Sequence, residues 1–455
     1  MMDLTLKEIA LAVGGTLCGD GDRLIHGVST DTRTISAGEL FVALRGEKFD
    51  GHDYIGDLTG KDVAVVTEKE CSGIDHILVK DTLKALGRLA AFWKNRVAPR
   101  YTVGVTGSVG KTTTKELIAG VLNKKYKTHF TSGNSNNHIG VPITLIRIEK
   151  DTEAVVVEMG MSARGEIEYL TELARPNVAV ITNIGTAHME ILGSREAICE
   201  AKLEILKGME KGSTIILDGD EPLLRSAWAE EALKDYKVVF VGFAADNDLY
   251  PLDIYKGPTS LSFDAISPDR ELRVTVPAVG DHFIKDALFA VAVGEACGVD
   301  DEGIRQGLMA YAPTGLRQKL YDVDGIHVIA DCYNASPESM SAALKVLGGA
   351  KEGRRVAVLG DMLELGCLTE SAHRDVGKEC VANKVDRLFT FGKTSYHILL
   401  GARDAGMEKN AVSNAIDKDQ IAQQIREYIK PGDTVLFKAS RRMKLEEIID
   451  LTGLS

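Results

Sequence analysis

The run Gly104-Val105-Thr106-Gly107-Ser108-Val109-Gly110-Lys111-Thr112-Thr113-Thr114 has the residue types and spacing to hold a nucleoside triphosphate. Gly107 and Gly110 would let backbone N–H groups converge on phosphate oxygens. A helix starting near Thr112 would add its positive end. Lys111 can reach β- and γ-phosphates, and the Thr112 hydroxyl can ligate Mg²⁺. The strict phosphate-loop pattern has glycine where this chain has Val105, so the loop is the variant Thr-Gly-x-x-Gly-Lys-Thr. The competing reading is an ordinary glycine turn with a surface lysine. An apolar strand-like run before the loop and a helical pattern after it favour phosphate binding. No Asn-Lys-x-Asp guanine signature occurs, so a kinase, an ATPase or a ligase stays open.

Three further residues follow. The apolar run Ala154–Glu158 ends in a carboxylate, a natural Mg²⁺ position if this strand lies beside the loop in a parallel sheet. The next apolar run leads into Thr182-Asn183-Ile184-Gly185-Thr186-Ala187-His188, which predicts His188 at the same sheet edge. Lys202, in Glu200-Ala201-Lys202-Leu203-Glu204, reads on its own as a solvated helix lysine.

These residues need a scaffold. Strand-like runs are predicted at Leu40–Leu44, Val63–Thr67 and His76–Val79, with a helix over Thr82–Arg96. Ala98-Pro99-Arg100 breaks that helix and predicts a boundary. Strands at Tyr101–Thr106, Ala154–Glu158, Val178–Thr182, Thr214–Leu217 and Val238–Val241 alternate with helices, which argues for a mainly parallel sheet. Leu249 to Val276 reads as an antiparallel insertion, and Ile284–Cys297 as a small-residue-rich helix. After Tyr311-Ala312-Pro313 the alternation resumes, predicting a second doubly wound unit. The expected fold is α/β in three domains. These are a small N-terminal α/β domain (1–98), a central phosphate-loop parallel-sheet domain (99–312) and a C-terminal Rossmann-like domain (313–455).

Composition fits this. The chain has 455 residues, 44% apolar and 26% charged, with a formal net charge of −12. Such acidity argues against non-specific binding to nucleic acid or to an anionic membrane, but not against an anionic ligand in a local field. The start lacks a basic and apolar leader, and no uncharged apolar run is long enough to span a membrane, so a cytoplasmic protein is expected. The seven cysteines are scattered with no Cys-x-x-Cys pair, and are read as small hydrophobes rather than a zinc site.

The chain resembles the Mur ligase family of ATP-dependent amide-forming enzymes. The resemblance rests on Thr106–Thr112, Glu158-Met159-Gly160, Asn183-Ile184-Gly185-x-Ala187-His188-x-Glu190 and Ala201-Lys202-x-Glu204. Ser29-Thr30-Asp31-Thr32-Arg33, with Gly38–Leu44 and Phe49-Asp50-Gly51-His52, looks like the family's uridine-nucleotide domain. Three runs resemble the branch that adds D-alanyl-D-alanine: Gly133-Asn134-Ser135-Asn136-Asn137, Asp331-Cys332-Tyr333-Asn334-Ala335-Ser336-Pro337 and Leu359-Gly360-Asp361-Met362-Leu363-Glu364. The Asp-Asn-Pro-Arg motif of the diaminopimelate-adding branch is absent.

The resemblance implies an ATP-dependent ligase joining D-alanyl-D-alanine to UDP-N-acetylmuramoyl-tripeptide through an acyl phosphate. Lys111, Glu158, His188 and Lys202 would be catalytic. Thr106, Gly107, Ser108, Val109, Gly110, Lys111, Thr112, Thr113, Asp286, Arg317 and Asp331 would bind ATP. Thr112, Glu158, His188 and Lys202, the last as a carbamate, would hold two Mg²⁺ ions. Ser29, Asp31, Arg33, Asn134 and Asn137 would meet the uridine nucleotide. Tyr333, Asn334, Asp361, Lys438, Ser440 and Arg441 would serve the dipeptide side. The expected partners are small molecules, with no nucleic acid or membrane, and the chain is expected to be a monomer. One departure stands out: in Gly280-Asp281-His282-Phe283-Ile284-Lys285-Asp286, Phe283 and Asp286 replace two family asparagines, one of which contacts adenine. The alternatives are another amino-acid ligase of the family, a folylpolyglutamate-type enzyme, which lacks the Ser29–Leu44 unit, or a nucleotide-binding paralogue without ligase activity.

Overall fold

The computed structural model describes residues 2–46, 48–313, 315–350 and 352–455. Its three largest sheets follow from the apolar runs. The N-terminal sheet has the order Thr16–Cys18, His76–Leu78, Ala64–Thr67, Glu39–Val42, Gly27–Ser29. Only its first pair is antiparallel. The central sheet has six parallel strands in the order Lys237–Val241, Thr214–Asp218, Val178–Ile181, Tyr101–Thr106, Ala154–Glu158, Thr128–Phe130. The C-terminal sheet runs Lys319–Val323, Ile326–Asp331, Thr434–Lys438, Arg355–Gly360, Arg387–Phe391, Val412–Ala415, with an antiparallel first pair.

Alternation along each strand sorts side chains onto two faces. Val155 and Val157 enter one core, while Ala154 and Val156 enter the other. Val356 and Val358 part in the same way from Ala357 and Leu359. Strands buried on both faces read as continuous apolar runs, which is why they were visible in the sequence. The expected antiparallel insertion is the three-stranded sheet Tyr250–Lys256, Leu261–Ser267 and Arg270–Val276. The three edge strands Thr128–Phe130, Lys319–Val323 and Val412–Ala415 were not predicted, being short or polar. The helix that carries Lys202 is α-helical over Arg195–Leu203 and 3₁₀ over Glu204–Gly208.

The N-terminal and central lobes share one core. Leu40, Val42, Ala64 and Val66 from the small sheet cluster with Val155, Val157, Ala179 and Ile181. Helix Thr82–Val97, capped by Asp81, lies between the two sheets. Its Trp93 is 1% exposed and donates from Nε1 to the carbonyl of Ile148 at 3.0 Å. Trp93→Ala should cost about 3–5 kcal/mol of stability through the cavity it leaves. Denaturant unfolding checks this, and a loss below about 1 kcal/mol would show the lobe junction to be independent of it.

Candidate active site

In an open parallel sheet, ligands bind beyond the carboxyl ends of the strands. Here two sheets turn those ends toward one cavity of about 770 Å³. The central sheet contributes Glu158 and Asp218, and the C-terminal sheet contributes Asp331 and Lys438.

The phosphate loop leaves strand Tyr101–Thr106 and enters helix Lys111–Leu122. Gly107 has φ 150°, and a Cβ there would stand 1.9 Å from the Thr182 hydroxyl. Gly110 has φ 84°, and a Cβ there would meet Asp286 Oδ1 at 2.8 Å. Both positions require glycine. No side chain caps the helix that follows, so its first amides remain free for a ligand. The next strand-end loop braces this one. Asn183 Oδ1 accepts from the N–H groups of Ser108 and Val109, both at 2.9 Å. Gly185 N–H donates to Ser108 Oγ at 2.9 Å, and the Thr182 hydroxyl to the Val109 carbonyl at 2.6 Å. Thr106, Thr112 and Thr114 are buried beneath, and Thr113 lines the cavity.

Lys111 Nζ donates to the carbonyls of Gly107 (2.7 Å) and Ser108 (3.2 Å). Burial holds its pKa below the usual lysine value, and nearby Glu158 partly offsets this. Glu158 is 1% exposed. Its Oε1 accepts from Asn136 Nδ2 at 2.8 Å, while its buried Oε2 has no hydrogen-bond partner. Lys115 Nζ stands 3.7 Å from that oxygen, and burial also lowers its pKa. An orphaned, buried carboxylate oxygen on the cavity that Thr112 also lines is a donor set that suits Mg²⁺.

His188 sits at φ 65° before the short helix Met189–Leu192. Its Nδ1 lies 2.9 Å from Oε2 of Glu364, a C-terminal lobe residue. Burial lowers the imidazole pKa and the Glu364 charge opposes that shift. Lys202 is 2% exposed, so the sequence reading of a solvated lysine does not hold. Among the described residues it has no ion pair or hydrogen bond. Desolvation, then the charge of Lys111, push its pKa well below the usual lysine value.

The C-terminal residues divide. Lys438 is buried and bonded to Asp331 Oδ2 (2.5 Å) and the Asn334 carbonyl (3.0 Å). Its charge is therefore neutralised within the protein rather than free for a substrate carboxylate. Asp331 also accepts from the Gln318 N–H at 3.2 Å. The Arg317 guanidinium stacks 3.7 Å above the Tyr333 ring, and Thr314 of the same run lies outside the described residues. Ser440 and Arg441 line the cavity, joined by Arg442, which the sequence reading omitted. Asp361 is not among the cavity-lining residues. Its carboxylate accepts from the N–H groups of Ser395 (2.7 Å) and Lys393 (3.2 Å), so it shapes a turn.

Asn134 and Asn137 line the cavity, and Asn137 Oδ1 accepts from the N–H groups of Ile139 and Gly140. Ser29, Asp31 and Arg33 stand apart from it, after strand Gly27–Ser29. Asp31 is paired with Arg33 at 2.6 Å, and that bond lowers its pKa to about 2. Sequence reasoning missed three other wall residues: Asn136 as a partner of Glu158, and Glu338 and Glu364 as inter-lobe carboxylates. Glu338 Oε1 accepts from the Thr186 N–H (2.9 Å) and hydroxyl (3.0 Å). Only the fold brings these positions to the loop.

A phosphate loop, a carboxylate at the next strand end and a second doubly wound lobe facing it define a three-lobed nucleotide-dependent α/β enzyme. Three Mur ligase family models match the chain: "Mur ligase family, catalytic domain" at 24–94, "Mur ligase middle domain" at 105–294 and "Mur ligase, glutamate ligase domain" at 317–441. The chain is similar to the UDP-N-acetylmuramoyl-tripeptide–D-alanyl-D-alanine ligase of Bacillus subtilis (strain 168), with 42% identity covering 99% of this chain and 98% of that protein. The Escherichia coli (strain K12) protein of the same name is 33% identical over 99% and 98%. A MurF crystal structure from Acinetobacter baumannii superposes with a TM-score of 0.92 at 30% identity, covering 100% of this chain and 99% of the other. MurF ligase from Thermotoga maritima in complex with ADP gives 0.82 at 28% identity, over 94% and 97%. The chain belongs to the Mur ligase family.

Asp286 gives a pH test. Its Oδ1 accepts the Thr114 hydroxyl at 2.9 Å, and burial raises its pKa from 3.8 to about 7. The folded state therefore binds more protons than the unfolded state between those values, and this group's contribution to stability falls as pH rises through that window. Asp286→Asn keeps the Thr114 bond and removes the titration. Its stability advantage over the parent should grow from pH 4.5 to 7.5, on the order of a few kcal/mol. Denaturant unfolding at several pH values checks it, and a constant difference would refute the raised pKa.

Proposed function

We propose that this chain is an ATP-dependent ligase that adds D-alanyl-D-alanine to UDP-N-acetylmuramoyl-tripeptide in cytoplasmic peptidoglycan precursor synthesis. The observation that carries this reading is the one cavity lined by the phosphate loop, Glu158, His188 and the carboxyl end of the C-terminal sheet. The proposed division of labour gives residues 1–98 the uridine nucleotide, 99–312 ATP and 313–455 the dipeptide. The proposed substrates are small molecules and the proposed state is a monomer; among the described residues no helix is long and apolar enough to cross a membrane.

A free carboxylate is a poor electrophile. Transfer of the γ-phosphoryl of ATP to a carboxylate oxygen of the tripeptide gives an acyl phosphate and ADP. The dipeptide amine then attacks the carbonyl carbon, loses a proton and expels inorganic phosphate, leaving an amide. The loop amides and Lys111 would hold the transferring group, with Lys111 exchanging the Gly107 and Ser108 carbonyls for phosphate oxygens. Arg317 and Asp331 would serve the phosphates and the ribose. The Thr112 hydroxyl and Glu158 Oε2 would hold one Mg²⁺, and His188 with Lys202 a second. Bound there, the ions supply charge neutralisation. The depressed pKa of Lys202 supports its carbamylation. A neutral amine can add to carbon dioxide and lose a proton to solvent, and the resulting carbamate would place an anion near Lys111.

Phosphate release from ATP should require both UDP-N-acetylmuramoyl-tripeptide and D-alanyl-D-alanine. Release that ignores the dipeptide would overturn the assignment. Lys202→Ala should lower kcat/KM at least about 100-fold, close to 2.7 kcal/mol of transition-state stabilisation. Turnover like that of the parent would return Lys202 to a purely structural role.

A further inference from the structure

Cys18 comes together with Glu70 and His76 on the N-terminal lobe, distant from both in sequence and with no spacing that announces the cluster. The antiparallel register of Thr16–Cys18 against His76–Leu78 sets Cys18 directly opposite His76. Glu70 lies in the connection that leads into the second of these strands. The Cys18 sulfur, a Glu70 carboxylate oxygen and a His76 ring nitrogen all lie within 4.8 Å of one another. The cluster occupies the opposite edge of the five-stranded sheet from Gly27–Ser29, and none of its members lines the active-site cavity.

The histidine's protonation pattern follows from its partners. His76 Nδ1 lies 3.0 Å from the Ile74 carbonyl, which can only accept, so Nδ1 carries a proton. In the neutral ring Nε2 then presents a lone pair. That atom faces Glu70 Oε2 at 3.3 Å, another acceptor. Two acceptors so placed repel unless a proton or a cation lies between them. An Nδ1–H bond to a backbone carbonyl is also the arrangement that orients a metal-ligating histidine. The imidazole is 4% exposed and held, whereas the Glu70 side chain is 74% exposed and free to adjust. Donor atoms in a tetrahedral zinc site stand about 3.5 Å apart, given Zn–N and Zn–S bonds of roughly 2.0 and 2.3 Å. At 3.3 Å, His76 Nε2 and Glu70 Oε2 already have about that spacing, so closure from at most 4.8 Å falls on the half-buried Cys18 side chain. Cys71, next to Glu70, points elsewhere, with its sulfur 3.4 Å from the Lys69 carbonyl.

We propose that Cys18, Glu70 and His76 form a Zn²⁺ site separate from the nucleotide machinery, with water in the fourth position. Thiolate, imidazole and carboxylate together suit that ion better than Mg²⁺, which prefers oxygen. Co²⁺ titration of the full-length protein tests this. A thiolate-to-cobalt charge-transfer band requires sulfur in the coordination sphere, which the oxygen donors of the phosphate loop cannot supply. The parent should develop the band to saturation at one equivalent, and Zn²⁺ should abolish it. Cys18→Ser and His76→Gln should lose the band, while Cys71→Ser and Cys367→Ser keep it. Glu70→Ala should bind Zn²⁺ about 10–100-fold more weakly with unchanged ligase turnover. Absence of the band in the parent would show that His76 and Glu70 share only a proton, and its persistence in Cys18→Ser would place the metal elsewhere. Either result overturns the site. Far-UV circular dichroism of each variant separates lost binding from lost folding.

Discussion

Lys115 and Lys202 are buried and Lys111 half-buried around the phosphate loop, and Glu158 is the buried carboxylate that offsets Lys111 and Lys115. Removing an ammonium from water costs several kcal/mol unless a counter-charge and hydrogen bonds compensate. Here compensation is incomplete: all three lysine pKa values are lowered, and among the described residues Lys202 has no anionic partner. The interior of a protein with a net charge of −12 thus holds a local excess of cationic groups. An acidic surface does nothing to steer anions from a distance. Recognition must then be short-range, made by the loop amides and by lysines that can exchange protein carbonyls for phosphate oxygens. The charge balance of the whole chain had nothing to say about this.

The loop from Thr182 to His188 joins the two halves of the cavity. Toward the phosphate loop it presents Asn183, whose amide oxygen takes two loop N–H groups. Toward the C-terminal lobe it presents Thr186 to Glu338 and His188 to Glu364. Leu368 packs against both the central and the C-terminal cores nearby. One short segment therefore senses the phosphate loop and the opposing lobe together. The carboxylates that reach across are acceptors for N–H and imidazole groups, so the lobes meet through specific polar contacts at the rim of the site.

What could be read from the sequence follows burial. Central strands covered on both faces leave uninterrupted apolar runs, and Tyr101–Thr106 and Ala154–Glu158 have the predicted bounds. The phosphate loop was legible because its chemistry is local, with seven consecutive residues carrying loop, lysine and hydroxyl. Edge strands such as Val412–Ala415 lack a two-sided apolar signature. Lys202 looked solvated because its sequence neighbours are glutamates, but burial is set by the sheet beneath the helix. Asn136, Glu338 and Glu364 are polar residues in polar stretches, and only the crossing of distant loops gives them partners. Lys438 illustrates the reverse error. A lysine at a strand end looks available to substrate until Asp331, its register partner on the adjacent strand, is seen to hold it.

Asp286 shows how burial changes the meaning of a substitution. As an ionised carboxylate it could only accept hydrogen bonds, unlike the asparagine it replaces in the family pattern. Packed beneath Gly110 and bonded to Thr114, it has a pKa near 7, so around neutrality a large share of it carries a proton. A protonated carboxyl has one donor and retains acceptor capacity, the same functional complement as an amide. Its carbonyl oxygen can keep the Thr114 hydroxyl while its O–H remains available to donate. The departure seen in the sequence is thereby reduced to a difference in pH range: below about 7 the residue behaves like the amide, and above it like an anion beneath a loop built for phosphate.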